Sequence, residues 1–338
     1  MVKHCLLVLS LAAAHSSAAL GTAAPGAAIS PPNSHAAADR YRTWRTAAAE
    51  TLIARADANS LATAAALRYG SSSGGAKAGS SAPVPSAVDL AARASELAPQ
   101  NAGIGWLHLQ LCAGTPNCDI RDVAIVMRWV DADNGAAWLQ SLAAAQRDRD
   151  STEVDRILAD MAHGARFDLY WNRIVVLMVD TLDAARNELP SGFAASDSTR
   201  LTTASGIASA EIIPAFAPLL DACRESSAAP ERRELCLKLS KVMQRGDTIV
   251  TQMAGFSIEK HLLSPDSKEA RAIAERRHVL EWRVAAAAKF DTPLLPWMKN
   301  ARARARLAQM RAMPREEDVC IAILRSHKMA LEPPEEHR

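Results

Sequence analysis

The stretch ELAPQNAGIGWLHLQLC, residues 96–112, places a turn of Pro, Gln and Asn directly before a Trp and a run of Leu. A similar arrangement returns in WVDADNGAAWLQSL, residues 129–142, and more loosely in ARFDLYWNRIVVL, residues 165–177. The tryptophans of these stretches, Trp106, Trp138 and Trp171, are 32 and 33 residues apart. A fixed period of this length indicates repeated two-helix units, which bury their apolar faces by stacking on one another. We therefore predict that the three indoles pack in the core between successive units and do not bind a ligand.

The composition of the chain favours helices. It is rich in Ala and 49% hydrophobic, but only 4% of its residues are aromatic. Ala loses no side-chain entropy in a helix, and the residues that favour strands are scarce. The apolar run at residues 174–179 has the length of a buried strand, but a single strand among helices would leave both its edges unpaired. We predict an all-α fold of stacked antiparallel helical hairpins that continue into a C-terminal helical bundle.

The apolar periodicity and the turn residues give the approximate limits of the helices. We predict two helices between residues 39 and 68, and a helix from residue 87 that Ser86 and Asp89 cap. Further helices are predicted near 101–112, 119–131, 134–147, 151–163, 168–188, 198–209, 212–226, 231–244, 247–263, 267–290, 299–312 and 316–329.

The tryptophan spacing resembles the tetratricopeptide repeat, a 34-residue helical hairpin with a Trp early in its first helix. The resemblance covers residues 87 to about 188, and Trp44 marks a possible fourth copy. The positions that match the family's Leu, three residues after each Trp, are Leu109, Ser141 and Ile174; those near its Pro are Pro99, Asp133 and Arg166.

The same alignment also shows where the chain departs from the family. The family's small residues are replaced by Gln110, Leu142 and Val175, and two of the three Pro positions are lost. The Lys and Asn clamp that binds carboxylates in the family would fall, in the second repeat, at Ala136, Leu139, Ala143 and Gln146. The resemblance implies a degenerate array, a TPR-like α-solenoid or α–α superhelix, that serves as a binding scaffold without naming a ligand.

The N-terminus has the layout of a secretory signal peptide. Lys3 gives the positive end, residues 5–14 form an apolar run too short to span a bilayer, and small residues follow. Cleavage fits equally well after Ala18, Ala19 or Ala24. We therefore expect a periplasmic or secreted protein.

Shifts in composition divide the chain into seven segments. These are a signal peptide over residues 1–24, a disordered leader over 25–38, an N-terminal helical hairpin over 39–69, a Gly/Ser/Pro linker over 70–86, TPR-like repeats over 87–190, a C-terminal helical region over 197–330 and a loose tail over 331–338.

Export changes how the cysteines are interpreted, because disulfides form in oxidising compartments. We expect the local pairs Cys112–Cys118 and Cys223–Cys236, with Cys320 left as a buried thiol. His108 with Cys112 and Cys118 could instead bind zinc, but no fourth ligand lies nearby. The sequence alone leaves the connectivity open.

Other motifs of catalysis or metal binding are weak. The stretch GSSSG around Ser72 matches a nucleophile elbow, but it lies in the linker and no strand precedes it. Glu275 and His278 form a single Glu-x-x-His, whereas di-iron bundles need two copies. His163 suits the C-terminal end of a helix. We assign no catalytic residue, no metal ligand and no cofactor.

One segment, Lys299 to Arg315, concentrates positive charge. Its cations are Lys299, Arg302, Arg304, Arg306, Arg311 and Arg315. The chain as a whole has a net charge of only +2, which gives no reason to expect nucleic acid as a partner. In an exported protein the segment could meet anionic lipid, an envelope polymer or an acidic protein, or it could be a solvated face paired with acids elsewhere.

These observations favour an exported helical-repeat scaffold or adaptor that binds another protein or a component of the cell envelope. One alternative is an enzyme of unknown class, with a site assembled between helices. A second alternative is a peripheral protein that uses the segment Lys299–Arg315 at a membrane surface.

Overall fold

The computed structural model describes residues 34–69, 85–225, 229–291 and 298–334. Within these ranges the chain forms fifteen α-helices and one 3₁₀ turn, and the only β contact is an isolated bridge between Asn134 and Arg166. The prediction of an all-α fold is confirmed. The predicted signal peptide, most of the linker and Ser72 lie outside the described residues.

The first eight helices follow one another with short connections. They are α1 (Ser34–Arg55), α2 (Ala58–Arg68), α3 (Ala87–Leu97), α4 (Ala102–Ala113), α5 (Ile120–Val130), α6 (Leu139–Arg147), α7 (Ser151–His163) and α8 (Trp171–Ala184), and the 3₁₀ turn (Gly135–Trp138) precedes α6. The apolar run at residues 174–179 lies inside α8, as predicted. Helix α1 includes residues 34–38, which the sequence had assigned to a disordered leader.

The remaining seven helices form the C-terminal half. They are α9 (Asp197–Glu211), α10 (Ala217–Glu225), α11 (Pro230–Met243), α12 (Ile249–Leu262), α13 (Lys268–Asp291), α14 (Met298–Ala312) and α15 (Glu316–Ser326). Helix α10 begins five residues later than predicted. Pro214 contributes to the delay, because a proline disfavours helical geometry in the residue before it, and Pro218 lies in the first turn of α10, where a proline is tolerated.

Polar side chains start most of the N-terminal helices. Asp57, Asn101, Asp119 and Asp150 each accept a hydrogen bond from a backbone N–H in the first turn of α2, α4, α5 and α7. Ser86 forms the predicted capping box with Asp89 at the start of α3. Such caps satisfy N–H groups that have no partner within the helix.

The helix predicted over 134–147 is interrupted where two backbone segments meet. Gly135 donates to the carbonyl of Arg166 at 3.0 Å, and Arg166 donates to the carbonyl of Asp133 at 3.2 Å. A Cβ atom on Gly135 would lie 2.9 Å from the carbonyl oxygen of Met161, so a side chain there would clash with α7. This close approach keeps residues 135–138 in a 3₁₀ turn. Helix α8 starts only at Trp171, because Tyr170 before it has a left-handed backbone, with a φ of 58°.

Helices α1 to α7 pack in chain order, each against its successor, with the 3₁₀ turn joining α5 to α6 and α7. This consecutive packing is compatible with a helical repeat array. The later helices fold back on the earlier ones: α8 packs against α2, α4, α9 and α14, and α11 packs against α7. The hairpins are therefore covered by the C-terminal half and share one core with it.

The N-terminal hairpin is fixed to the C-terminal half by polar contacts as well. The indole N–H of Trp44 donates to the carbonyl of Pro190 at 3.0 Å. Arg45 donates to the carbonyls of Leu67 and Tyr69 at the end of α2 and pairs with the buried carboxylate of Glu211 at 3.2 Å. One guanidinium thus caps α2 and joins the hairpin to α9.

A hydrogen bond joins the residues on either side of segment 70–84. The guanidinium of Arg68, the last residue of α2, donates to the carbonyl of Pro85 at 2.7 Å. Because Pro85 lies just before α3, the two ends of this segment lie side by side.

Both predicted cysteine pairs are disulfides in the structure. Cys112–Cys118 joins the end of α4 to the residues before α5, with the two Cα atoms 5.4 Å apart. Cys223–Cys236 joins α10 to α11, with the two Cα atoms 5.6 Å apart. Cys320 is a buried free thiol in α15. Two disulfides indicate an oxidising, extracytoplasmic compartment.

No helix in the described part of the chain is both long and apolar enough to cross a membrane.

Candidate functional site

The three tryptophans that carried the repeat prediction all contact the core, but their settings differ. Trp106 is the fifth residue of α4, is fully buried and donates to the carbonyl of Ile212 at 3.2 Å. Trp138 ends the 3₁₀ turn and is half-buried, with the guanidinium carbon of Arg128 4.2 Å from its ring centre. Trp171 is the first residue of α8 and is half-buried. An even spacing in sequence therefore does not give an even position along the helices.

The asparagines before the first two tryptophans are used in the same way. Asn101 accepts from the N–H of Gly103, and Asn134 accepts from the N–H of Ala136, each two residues ahead. The feature that the first two repeats share in the structure is thus an Asn whose side chain caps the start of the helical segment that follows.

Most of the basic segment is neutralised by neighbouring groups. Arg302 donates to the carbonyl of Phe290, Arg311 pairs with Asp180, and Arg315 pairs with Glu317 at 2.9 Å. Arg304 lies 3.7 Å from Asp197, Arg306 is half-buried near Glu316, and Lys299 is exposed. The six cations do not form one continuous basic surface.

The other residues considered for chemistry are scattered. His108 is half-buried, which lowers the pKa of its ring, and its cysteine neighbours are oxidised to a disulfide. Glu275 is exposed and His278 is half-buried. The Nδ1 atom of His163 lies 2.6 Å from the carbonyl oxygen of Ala159 at the end of α7. No three metal-ligating side chains come together within the described ranges.

Several buried acids hold the connection between α7 and α8. Asp247 accepts 2.7 Å hydrogen bonds from the N–H groups of Leu169 and Tyr170. Tyr170 has a φ of 58°, a left-handed conformation that these bonds help to fix. Burial, aided by the nearby charge of Asp168, raises the pKa of Asp247 well above its ordinary value. The buried carboxylate of Asp247 therefore has a structural role, because it holds the backbone of Leu169 and Tyr170.

Asp131 and Glu316 also hold backbone and side chains in place. Asp131 pairs with Arg166, and Glu316 accepts from the N–H of Ile249 at the start of α12. Burial raises the pKa of both carboxyls. Asp131 and Glu316, whose pKa values are raised, therefore serve to hold neighbouring segments of the structure together.

A groove of about 670 Å³ opens between the start of α2, the start of α4, α8 and α14. Its apolar lining includes Ile174, Leu177 and Met310. Ile174 and Met310 are buried, and Leu177 is half-buried. The groove has the size of a typical ligand pocket.

Charged side chains line the edges of this groove, and most of them are paired. Arg55 bonds to Glu188 at 2.8 Å and lies 3.7 Å from Asp57. Arg311 pairs with Asp180. Arg173 is exposed and, in the described part of the chain, has no carboxylate within 4.0 Å; its guanidinium carbon lies 5.7 Å from the ring centre of Tyr170. Arg173 is thus a cation without a direct ion pair at the groove, and its charge still acts on the carboxyls of Asp131 and Asp247.

Two amide side chains complete the lining. The Oδ1 atom of Asn101 caps α4, while its NH₂ group has no partner among the described residues. Asn59 is exposed and its amide is likewise unbonded there. Asn101 and Arg173 also line a second concavity of about 540 Å³ at the turn between α3 and α4. The groove therefore continues past Arg173 toward residues 98–102.

One feature of the sequence points to this site, although the sequence alone did not identify it. Arg173 and Asp180 flank the apolar run of α8 and are seven residues apart, so they lie on one helix face. Both residues line the groove. Their spacing identifies a polar edge on an otherwise apolar helix, but not the helices that face it.

Comparisons with protein-family models, with curated proteins and with solved structures gave no match.

Proposed function

We propose that this protein is an exported helical scaffold that binds a segment of another protein in the groove between α2, α4, α8 and α14. The observation that carries the proposal is Arg173, a cation without a carboxylate partner in the described structure, beside an apolar floor. The degenerate TPR-like pattern of the sequence agrees with a scaffold, and the two disulfides agree with a periplasmic or secreted location.

The lining of the groove matches the chemistry of an extended, acidic peptide. A guanidinium forms two parallel hydrogen bonds to a carboxylate, either of Asp or Glu or of a chain terminus. A primary amide donates and accepts at once, as a peptide unit does, so Asn59 suits the backbone of the ligand. Asn101, whose oxygen caps α4, can still donate from its NH₂ group. The floor of Ile174, Leu177 and Met310 suits an apolar side chain next to the acid.

The two alternatives gain less support from the structure. The groove lining contains two carboxylates, Asp57 and Asp180, and both lie beside arginines within the groove. This arrangement offers no free acid or base for catalysis. A membrane-surface role for Lys299–Arg315 stays a prediction, and the pairing of Arg304, Arg311 and Arg315 with acids weakens its electrostatic basis.

The test uses pairs of short synthetic peptides that are identical except for one position, Glu in one and Gln in the other, within an apolar sequence. Fluorescence anisotropy of labelled peptides gives the Kd. We expect the Glu peptides to bind more tightly, and Arg173→Gln to weaken their binding by about tenfold, the effect of one lost charge-assisted contact.

The matched control is Arg147→Gln, which removes an exposed arginine of α6 that does not line the groove. It should leave the Kd unchanged. Equal affinity for the Glu and Gln peptides, or binding that survives Arg173→Gln, would show that the groove does not select carboxylates.

A further inference from the structure

Helix α8 runs along the groove and gives it two ends. At one end, which we call the α4 end, Arg173 in the first turn of α8 lies beside Asn101. The other, the α2 end, lies where α8 finishes at Ala184, because the lining residue Arg55 bonds to Glu188 just beyond it at 2.8 Å. Eleven residues separate the two ends of α8, a length of about 16 Å.

The α2 end carries one negative charge more than it balances. The guanidinium of Arg55 lies 3.7 Å from Asp57 and 2.8 Å from Glu188, so two carboxylates share one cation. The two acidic side chains are 51% and 52% exposed. Asp57 is held by bonds from Ser60, whereas the second oxygen of Glu188 has no partner in the described part of the chain. This end therefore offers an exposed acceptor to a cation.

The other charges along α8 balance one another. Arg311 pairs with Asp180 across the groove. Near the end of α8, Asp183 lies 3.5 Å from Arg186 and 3.0 Å from the buried Arg200, and none of these three residues lines the groove. The charge left over in the groove is therefore positive at the α4 end and negative at the α2 end.

Buried acids behind the α4 end do not cancel its charge. Asp131 and Asp168 both pair with Arg166. Asp247 accepts its hydrogen bonds from backbone N–H groups, and burial raises the pKa of both Asp131 and Asp247, which favours their neutral forms. None of these acids lines the groove, so Arg173 keeps a positive field toward a ligand.

The helix backbones reinforce this polarity. The N-terminus of a helix carries positive partial charge and its C-terminus negative partial charge. Helix α8 therefore favours an anion at the α4 end and a cation at the α2 end, and the N-terminus of α4 adds to the first effect. At the α2 end, the C-terminus of α1 and the N-terminus of α2 oppose each other.

We infer that the α2 end of the groove binds a basic side chain, so that the ligand is an extended peptide with an acid and a base four positions apart. Positions i, i+2 and i+4 of an extended chain face the same way and span about 13 Å. The acid meets Arg173, and an apolar side chain between the two charges lies on Ile174 and Leu177. The base reaches Glu188 and Asp57 with its long side chain. This inference rests on the function proposed above and adds the second charge of the ligand.

The test uses the peptide Glu-Ala-Leu-Ala-Lys, with both termini blocked and an uncharged fluorophore, and two relatives in which Gln replaces either the Lys or the Glu. Fluorescence anisotropy gives each Kd. We expect Lys in place of Gln to lower the Kd about threefold, as one exposed ion pair does. This gain should shrink as salt is added, because salt screens exposed charges.

Variants of the protein separate the two ends. Glu188→Gln should abolish the gain from Lys and keep the preference for Glu, and Glu188→Lys should make the Lys peptide bind more weakly than its Gln relative. Arg173→Gln should show the opposite pattern, with the gain from Lys kept and the preference for Glu lost. The matched control is Glu234→Gln, an exposed acid of α11 that does not line the groove, and it should change neither.

The outcomes distinguish this inference from the proposed function. Equal binding of the Lys and Gln peptides, with the preference for Glu intact, overturns this inference alone. A gain from Lys that survives Glu188→Gln, or an equal gain in Glu-Lys-Ala-Leu-Ala, where the base cannot reach the α2 end, also overturns it. Absence of binding, or equal binding of the Glu peptide and its Gln relative, overturns both.

Discussion

Two glycines show how differently single residues of this chain use the absence of a side chain. At Gly246 a Cβ atom would lie 2.6 Å from the Thr251 methyl and 2.7 Å from the carbonyl oxygen of Phe167. At Gly206, inside α9, no atom lies within 4 Å of a Cβ position. The first glycine is required by close packing, whereas the second only weakens its helix.

We therefore predict opposite effects of the same substitution. Gly246→Ala should lower the free energy of unfolding by about 2 kcal/mol, because the backbone must move to relieve the contact. Gly206→Ala should raise it by about 0.5–1 kcal/mol, the difference in helix propensity. Urea denaturation of the two variants and the wild type measures both changes, and equal signs would contradict this account.

The sequence predicts only part of what such residues do. Gly246 was recognisable as a residue suited to the end of a helix, and α11 ends three residues before it. Its contact with Phe167, 79 residues earlier in the chain, depends on how α12 packs against the connection before α8. The same holds for Arg173: its type and spacing are visible in the sequence, but the groove exists only after α14 folds onto α8.

Among the elements, helices α10 and α11 depend on a covalent link. Helix α10 has nine residues, which is too short for stability in isolation, and Cys223 ties it to Cys236 of α11. The cross-link closes a segment of 13 residues and so restricts the unfolded chain.

Replacement of both cysteines, Cys223→Ser with Cys236→Ser, should lower the free energy of unfolding by about 3 kcal/mol on the chain-entropy account. The shorter Cys112–Cys118 link, with a separation of six, should contribute about 2 kcal/mol. Denaturation of each double-serine variant in the absence of reductant gives these values. A smaller loss for Cys223–Cys236 than for Cys112–Cys118 would count against loop entropy as the cause.

Elements with strong periodicity were predicted closely from the sequence, and the errors have local causes. Helix α7 has the predicted limits, α14 differs from its prediction by one residue at its start, and α4 and α5 differ from theirs by one residue at each end. The predicted helix over 134–147 was wrong in its first turn. The cause is Arg166, whose backbone bonds to residues 133 and 135 cannot be read from either stretch alone.

The whole molecule joins regions that the sequence presents as separate. The predicted N-terminal hairpin, repeats and C-terminal region lie in one core, and the hydrogen bond from Arg45 to the carboxyl of Glu211 links the first to the last. Burial raises the pKa of the Glu211 carboxyl to about 8, and Arg45 only partly opposes the shift. Composition can predict the linker between such regions, but it cannot predict the long-range contact between Arg45 and Glu211 that joins them.

This pair predicts a dependence of stability on pH. The Glu211 carboxyl has a raised pKa in the folded state, so the folded protein holds an extra proton between the ordinary value near 4.5 and about 8. Its contribution to stability is full at low pH and is lost as pH rises through this window. Glu211→Gln removes that titration.

We therefore expect the free energy of unfolding of the wild type, relative to that of Glu211→Gln, to fall steadily from about pH 5 to about pH 8. Urea denaturation of both proteins at several pH values in one ionic strength gives this difference. Two curves that stay parallel over the window would contradict the burial of a titrating carboxyl between α1 and α9.

The hydrogen bond from Arg68 to the carbonyl of Pro85 has a practical consequence for the chain between them. The two ends of this segment are adjacent, so an inserted domain whose own termini are close together can be accommodated without stretching the chain. Each doubling of the length of such a loop costs only about 0.6 kcal/mol. A fluorescent or affinity module inserted between Gly70 and Val84 would therefore report on partners while leaving the groove in place.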